Sequence, residues 1–339
     1  MYKKFIRPLL FLFPPETVHR LTVAALRFAG FVPGGRILLR SVFARRSPQL
    51  STEVFGLHFA NPVGMAAGFD KEAGCWRELG ALGFGFVETG TITPDPQPGN
   101  PPPRVFRLPA DRAIINRMGI PGHGMERAAK RLKHRRRGLI VGANIGKNAS
   151  TPNERAAGDY LRVFQRLYHC ADYFVVNVSC PNVVNMTALQ NRRQVSEIAA
   201  ALAAHRNTQA VRRPVLLKIS PDLNCGQIDD MIAVAEEYGL DGLVATNTTT
   251  SREGVASDHS KAGRGGLSGA PLTVRALETV LYIRSRTDLP VVGSGGIMAP
   301  RDALVMLEAG AALVQIYTGL IYEGPSFPGK ICKYLCALK

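Results

Sequence analysis

A thiol stands among amides at the end of a short apolar run. In Tyr173-Phe174-Val175-Val176-Asn177-Val178-Ser179-Cys180-Pro181-Asn182, aromatic and β-branched residues give way abruptly to Asn, Ser, Cys, Pro and Asn. The run reads as a buried strand, and Pro181, which has no N–H, forces the chain out of the ladder. A strand that only filled a core would not need two amides and a thiol at its tip. The cluster therefore suits an active-site edge, against the plainer reading of a strand end. A cysteine thiol ionises at about pH 8.5, close enough to neutrality to take a proton from a substrate.

Other apolar runs end in the same kind of residue: Gly68-Phe69-Asp70-Lys71, Thr89-Gly90-Thr91, Asn144-Ile145-Gly146, Lys218, Thr246-Asn247-Thr248, Gly295-Gly296 and Tyr317-Thr318-Gly319. Acids are scarce among them, which disfavours metal-assisted hydrolysis and two-carboxylate sugar hydrolysis. No metal site is expected. Amides, hydroxyls and a few lysines suit a flat heteroaromatic ring and a polar, planar substrate.

The elements that must carry these tips recur with a regular rhythm. Apolar runs at 63–67, 84–89, 139–145, 173–178, 215–219, 242–246, 291–293 and 312–317 are mostly followed by helix-like segments. Near-continuous hydrophobicity marks strands covered on both faces, as in parallel sheets. Eight such units predict an α/β fold, a closed (β/α)8 TIM barrel, with an open doubly wound sheet as the alternative. In a barrel, chemistry belongs at the carboxyl ends of the strands, where the polar tips lie. The loops after the seventh and eighth strands often hold a phosphate there, and Gly293-Ser294-Gly295-Gly296 is placed to do so. By itself that glycine turn is equally a tight bend.

Three further stretches interrupt the rhythm. Residues 91–122 form a proline-rich excursion, either shaping the active face or running over the surface. Residues 250–266 read as a mobile polar lid or a plain connection. The basic run 130–137 fits a solvated helix face ahead of the third strand better than a nucleic-acid site. Residues 1–46 read as a separate unit from the catalytic domain, 47–339. Val18, Leu21, Ala25 and Phe28 fall at helical spacing with Gly30 as a stop, and Ile37, Leu38 and Val42 continue after Pro33-Gly34-Gly35. Arg20, Arg27, Arg36 and Arg40 lie between. Two basic amphipathic helices suit a membrane interface or packing on the main domain.

Composition bounds the rest. The 339 residues are 46% hydrophobic with a net charge of +16, and the first 50 hold nine Lys/Arg against Glu16 alone. An anionic surface is the implied partner, lipid or nucleic acid. Six cysteines without a C-x-x-C pair support neither a disulfide framework nor zinc or iron–sulfur ligation. No run is long enough to span a bilayer, and no signal peptide is apparent.

Taken in order, Ala66-Ala67-Gly68-Phe69-Asp70-Lys71, Gly90-Thr91-Ile92-Thr93-Pro94, Asn116-Arg117-Met118-Gly119, Asn144-Ile145-Gly146-Lys147-Asn148, Asn177 through Asn182, Ala245-Thr246-Asn247-Thr248, Gly265-Gly266-Leu267-Ser268-Gly269 and Val314-Gln315-Ile316-Tyr317-Thr318 resemble dihydroorotate dehydrogenase, specifically its membrane-associated, quinone-using class 2 type. The resemblance spans essentially the whole chain. It implies FMN-dependent oxidation of dihydroorotate to orotate in pyrimidine biosynthesis, with electrons passed to a membrane quinone. It implies FMN contacts from Ala67, Gly68, Thr91, Asn144, Asn177, Lys218, Thr246, Gly269, Gly296, Tyr317 and Thr318. Substrate contacts are implied for Lys71, Asn116, Arg117, Met118, Gly119, Ile120, Asn177, Asn182, Asn247 and Thr248. His19, Arg107 and Tyr317 are implied along the quinone path, with residues 1–46 as its entrance.

One residue departs from the class. Class 2 enzymes usually carry serine where Cys180 stands, and cysteine is usual in the soluble class 1. Cys180 is expected to be the base for the C5 proton while the C6 hydride goes to the flavin. The departure leaves fumarate or NAD open as acceptors, although Pro15-Glu16-Thr17-Val18-His19-Arg20-Leu21 matches class 2, and class 1 lacks that extension. The rival is an RNA-modifying FMN barrel resembling dihydrouridine synthase, which the charge would suit. Against it, no helical RNA-binding domain fits after Tyr322, so no nucleic-acid partner is expected. A peripheral protein on the cytoplasmic face of a bacterial inner membrane is the expected location.

Overall fold

The computed structural model describes residues 1–45, 48–133, 138–182 and 186–338. A short antiparallel hairpin of β1 (Thr52–Val54) and β2 (Leu57–Phe59) precedes the barrel. Strands β3 (Val63–Met65) and β4 (Phe86–Ile92) begin it. An excursion then carries β5 (Val105–Leu108) and β6 (Ala113–Asn116) before β7 (Ile140–Ile145), β8 (Tyr173–Asn177), β9 (Val215–Ile219) and β10 (Gly242–Ala245). After β11 (Gly266–Gly269), β12 (Val291–Ser294) and β13 (Leu313–Ile316) complete the set. Eight of these close in the order β10-β12-β13-β3-β4-β7-β8-β9, every pair parallel. They are the eight apolar runs of the sequence, so the barrel stands and the open sheet falls. Helices lie outside, among them α4 (Trp76–Ala81) after β3, α5 (Gly124–Leu132) ahead of β7, α6 (Ala156–Leu167) ahead of β8, α7 (Arg192–Asn207) ahead of β9, α8 (Cys225–Glu237) ahead of β10 and α9 (Thr273–Arg284) ahead of β12.

The amino end of the barrel is plugged by side chains. Phe59 from the hairpin meets Phe86 edge-on at 5.3 Å, and Phe86 meets Tyr173 at 6.5 Å. All three rings are buried, with Val175, Leu216, Val244, Val292 and Leu313 around them. Truncating Phe86 to alanine is expected to cost about 3–5 kcal/mol, read as a lower urea midpoint at unchanged slope. The carboxyl end stays open.

Two expectations need correction. The excursion at 91–122 holds two strands rather than loop alone, and the segment 250–266 leads into a third that joins them. Strands β5 and β6 pair antiparallel, and β11 adds to β6 with Gly266 opposite Asn116, making one three-stranded sheet beside the barrel mouth. Asp111 of the first segment accepts from the backbone N–H groups of Ala256 and Ser257 in the second. Gly30 is not a helix stop. Helix α2 runs Pro15–Phe31, and the break falls at Gly34, whose φ of 76° a side chain would strain.

Helix α3 (Gly35–Phe43) follows, preceded in the chain by a π-helical turn at Tyr2–Ile6 and by α1 (Arg7–Phe11). The amino-terminal helices are apolar on two faces. Val23, Leu26, Leu39 and Phe43 pack on the barrel's outer core, whereas Leu21, Phe28, Phe31, Ile37, Leu38 and Val42 are exposed, Phe31 to 87%. The residues picked from helical spacing thus include outward ones. Among the described residues no single helix is long and apolar enough to cross a membrane. The expected unit boundary at 46/47, and 134–137 of the basic run, lie outside the described residues.

Candidate active site

The strand tips converge on one cavity of about 1250 Å³, reaching from the barrel mouth to helices α2 and α3. Side chains or backbone of Ala67, Gly68, Thr91, Asn144, Asn177, Lys218, Thr246, Gly269, Gly296, Tyr317 and Thr318 line it. Lys71, Asn116, Met118, Gly119, Ile120, Cys180, Asn182, Asn247 and Thr248 line it too, as do His19 and Arg107. Arg117 does not. Its guanidinium donates to the Pro103 carbonyl at 2.9 Å and lies 5.4 Å from the Phe106 ring centre, away from the site.

A directed chain of hydrogen bonds crosses the mouth. Asn247 Nδ2 donates to Asn177 Oδ1 at 3.2 Å, and Asn177 Nδ2 to Thr91 Oγ1 at 2.8 Å. Thr91 Oγ1 donates to Asn144 Oδ1 at 2.5 Å, and Asn144 Nδ2 to the buried carboxylate of Glu88 at 2.7 Å. Ser179, sealed from solvent next to Cys180, accepts from Asn247 Nδ2 at 2.9 Å. The residue ahead of the thiol is thereby pinned, while Cys180 itself is half-buried at the cavity wall.

The far wall is held by the excursion. Asn182 Nδ2 donates to Asn116 Oδ1 at 2.9 Å, and Asn116 Nδ2 to the Gly266 carbonyl at 3.3 Å. Asn182 Oδ1 is buried without a hydrogen bond, an acceptor that a ligand N–H would satisfy. Lys71 donates to the Gly68 carbonyl at 2.7 Å. Burial, helped by the Arg104 charge, pushes its ammonium down to about 8.

Toward α2 the cavity becomes aromatic. The His19 ring meets Phe69 edge-on at 5.1 Å, and Phe69 meets Tyr317 at 6.2 Å. Burial and then Lys71 push His19 down to about 3, so it is neutral at physiological pH. Burial pushes the Tyr317 phenol up to about 12, so it stays a donor, 3.4 Å from the Gly68 carbonyl. Arg107 is committed to the amino-terminal helices: it donates to the Leu10 carbonyl at 3.1 Å and to that of Phe13. Arg104 pairs with Glu16 of α2 at 3.0 Å.

Sequence reasoning passed over Glu88, Gln315, Phe69, Ser179 and the Arg104–Glu16 pair as site members. Phe69, Ser179 and Gln315 sat inside quoted motifs. Glu88 lay inside an apolar run with no signal to single it out.

A family model described as dihydroorotate dehydrogenase matches residues 49–338. The chain belongs to the dihydroorotate dehydrogenase family. It is 48% identical to the dihydroorotate dehydrogenase (quinone) of Christiangramia forsetii, with 96% of each chain covered. It is also 48% identical to that of Gloeobacter violaceus, over 95% of this chain and 90% of the relative. Among solved structures, dihydroorotate dehydrogenase from Eimeria tenella in complex with ferulenol superposes with a TM-score of 0.87 at 36% identity, covering 96% of this chain and 91% of that one. The family assignment rules out the RNA-modifying rival, and the relatives' coverage takes in the amino-terminal helices.

Proposed function

We propose that the protein oxidises dihydroorotate to orotate in pyrimidine biosynthesis, using bound FMN, and passes the electrons to a membrane quinone. The observation that carries this reading is one continuous cavity that joins Cys180 and the Lys71, Asn116, Asn182 and Asn247 side chains to the apolar passage under α2 and α3. Family membership and the quinone-using relatives support it.

The cavity suits a flavin. Its volume exceeds a flavin mononucleotide and a small acid together, amides and Lys218 line its floor, and the loops after β12 and β13 both reach it. Gly296 has a φ of 70°, and a Cβ there would lie 2.2 Å from the Thr273 backbone at the start of α9, so only glycine allows that close turn. Ala67, Gly68, Thr91, Asn144, Asn177, Lys218, Thr246, Gly269, Gly296, Tyr317 and Thr318 would hold it, the glycine turn and Thr318 at the phosphate. When bound, FMN supplies a hydride acceptor.

The chain's own residues do the rest. Lys71 pairs with the substrate carboxylate, and the Asn116, Asn182 and Asn247 amides read the ring's N–H and C=O edges. The open Asn182 Oδ1 suits a ring N–H. Cys180, as thiolate, takes the C5 proton as the C6 hydride departs. Thr91 and Asn144 hold the Asn177 amide in one orientation at the cavity wall.

Lys71 dictates a pH dependence. Before substrate binds, its charge is lost as pH rises through about 8. Affinity for the anionic substrate then falls, and kcat/KM declines above that pH. A bound carboxylate favours the ammonium, so kcat declines at higher pH than kcat/KM. Lys71→Arg, charged throughout, is expected to lose that alkaline limb. A limb unmoved by Lys71→Arg would assign it to another group.

The exposed apolar faces of α2 and α3, flanked by Arg20, Arg27 and Arg40, are those of a peripheral membrane anchor. On this reading the protein sits on the cytoplasmic side of a bacterial membrane. The deciding experiment is flavin absorbance of the purified protein followed by an acceptor panel of ubiquinone, menaquinone, fumarate and NAD with dihydroorotate as donor. Turnover with fumarate or NAD alone would overturn the quinone assignment.

A further inference from the structure

Behind the polar floor of the cavity lies a carboxylate that the reaction above does not use. Glu88, in the middle of β4, is 0% exposed and does not line the cavity. Its Oε1 accepts from Asn144 Nδ2 at 2.7 Å and lies 3.6 Å from Lys218 Nζ. Its Oε2 accepts from Gln315 Nε2 at 2.5 Å. Asn144, Lys218 and Gln315 all face the cavity. Lys218 is its only ion-pair partner among the described residues.

A carboxylate sealed in a barrel is costly unless it is paired and fully hydrogen-bonded, and removing one partner of such a pair leaves an uncompensated charge. Glu88 meets that condition through the three groups that floor the site. It is also the terminus of the chain from Asn247 through Asn177, Thr91 and Asn144, in which every donor points toward it. A carboxylate only accepts, so Asn144 must present its NH2 there and its oxygen to Thr91. Thr91 must then accept from Asn177. One anion thus fixes the orientation of amides on the substrate side.

We propose that Glu88 is a positioning residue for the cofactor: the sealed counter-charge that holds Lys218 and Asn144 at the cavity floor and moderates the positive charge Lys218 presents there. The inference rests on the flavin reading of the cavity. Uptake of a hydride, two electrons with one proton, leaves a neutral flavin ring one charge more negative. A cation at the floor favours that change, and an anion directly behind the cation tempers it. Glu88 thereby sets the reduction potential without touching the ring.

Glu88→Gln removes the charge and keeps the shape. The new amide oxygen accepts from Asn144 as before. Its NH2 faces Gln315, whose Oε1 makes no hydrogen bond, so turning the Gln315 amide over restores the second bond. The test compares wild type, Glu88→Gln, Lys218→Met and the double variant by two measurements. The first is the midpoint potential of bound flavin, in dye-coupled anaerobic titrations. Glu88→Gln is expected to move it to more positive values and Lys218→Met to more negative values, with the double variant between the two, since the two charges act on the ring in opposite senses. No shift in Glu88→Gln, or a shift to more negative values, overturns the proposal. The second is the melting temperature of flavin-free protein. Lys218→Met strands the carboxylate and lowers it, and the double variant recovers most of the loss. A double variant melting no higher than Lys218→Met overturns the pairing. Wild-type protein that takes up no flavin would instead refute the flavin reading, and the melting comparison would still judge the ion pair.

Discussion

Cys180→Ala is expected to slow reduction of the bound flavin by dihydroorotate about 10²–10⁴-fold, the usual worth of a positioned general base. The measurement is anaerobic stopped-flow bleaching of the flavin absorbance, which isolates this half of the cycle from any acceptor. Binding should survive, because Lys71, Asn116 and Asn182 are held by their own partners, Gly68, Gly266 and each other. Orotate should therefore still perturb the flavin spectrum with near wild-type affinity. Cys180→Ser separates position from acidity. The neighbouring Ser179 stays held, its hydroxyl by Asn247 and its backbone N–H by Asn177 Oδ1, but a hydroxyl gives up its proton far less readily than a thiol at about 8.5. The serine variant should be intermediate in rate, with its pH optimum displaced upward. An alanine variant that bleaches at the wild-type rate would move the base elsewhere, and an undisplaced serine profile would refute the thiolate.

How far the sequence could be read depended on whether a residue's environment is local. The eight barrel strands were legible because strands buried on both faces have almost no polar interruptions, and their tips were legible because polar residues appear abruptly there. Hairpin β1–β2 has only three residues per strand, with Glu53 and His58 exposed, too short for a pattern. The side sheet was hidden because β11 joins β6 across 150 positions of sequence, and each strand is only four residues long. Asn116 and Arg117 show the same limit at one step's distance. Asn116 ends β6 facing the cavity, and the next residue points the other way, as strand alternation requires. Nothing in the sequence gave the phase of that alternation. Glu88 was illegible for the opposite reason. A charged residue inside an apolar run gains its meaning only from Lys218, Asn144 and Gln315 on three other strands.

Val23→Trp is expected to cut kcat/KM for a long-tailed quinone about 10- to 100-fold, the consequence of roughly 1–3 kcal/mol of overpacking in a filled passage. Val23 lines the cavity where α2 faces the barrel, between His19 and Leu26, and so stands on the proposed quinone route but not among the substrate-contacting residues. Flavin reduction by dihydroorotate should proceed at the wild-type rate, and a tail-less quinone should lose less than the long-tailed one. Deleting residues 1–45 is a blunter cut. The helices are tied to the barrel by Arg104 to Glu16, Arg107 to Leu10 and Phe13, Tyr2 to the Ile321 carbonyl at 2.7 Å and Lys3 to Glu323 at 2.5 Å. Their loss would expose core-packed surface as well as open the passage. Equal long-tailed quinone turnover in Val23→Trp would place the acceptor's approach elsewhere on the barrel. An equal loss with every acceptor, together with slowed flavin reduction, would mean that the tryptophan had disturbed the site itself. The tail-dependent loss alone assigns the space beneath α2 to the quinone.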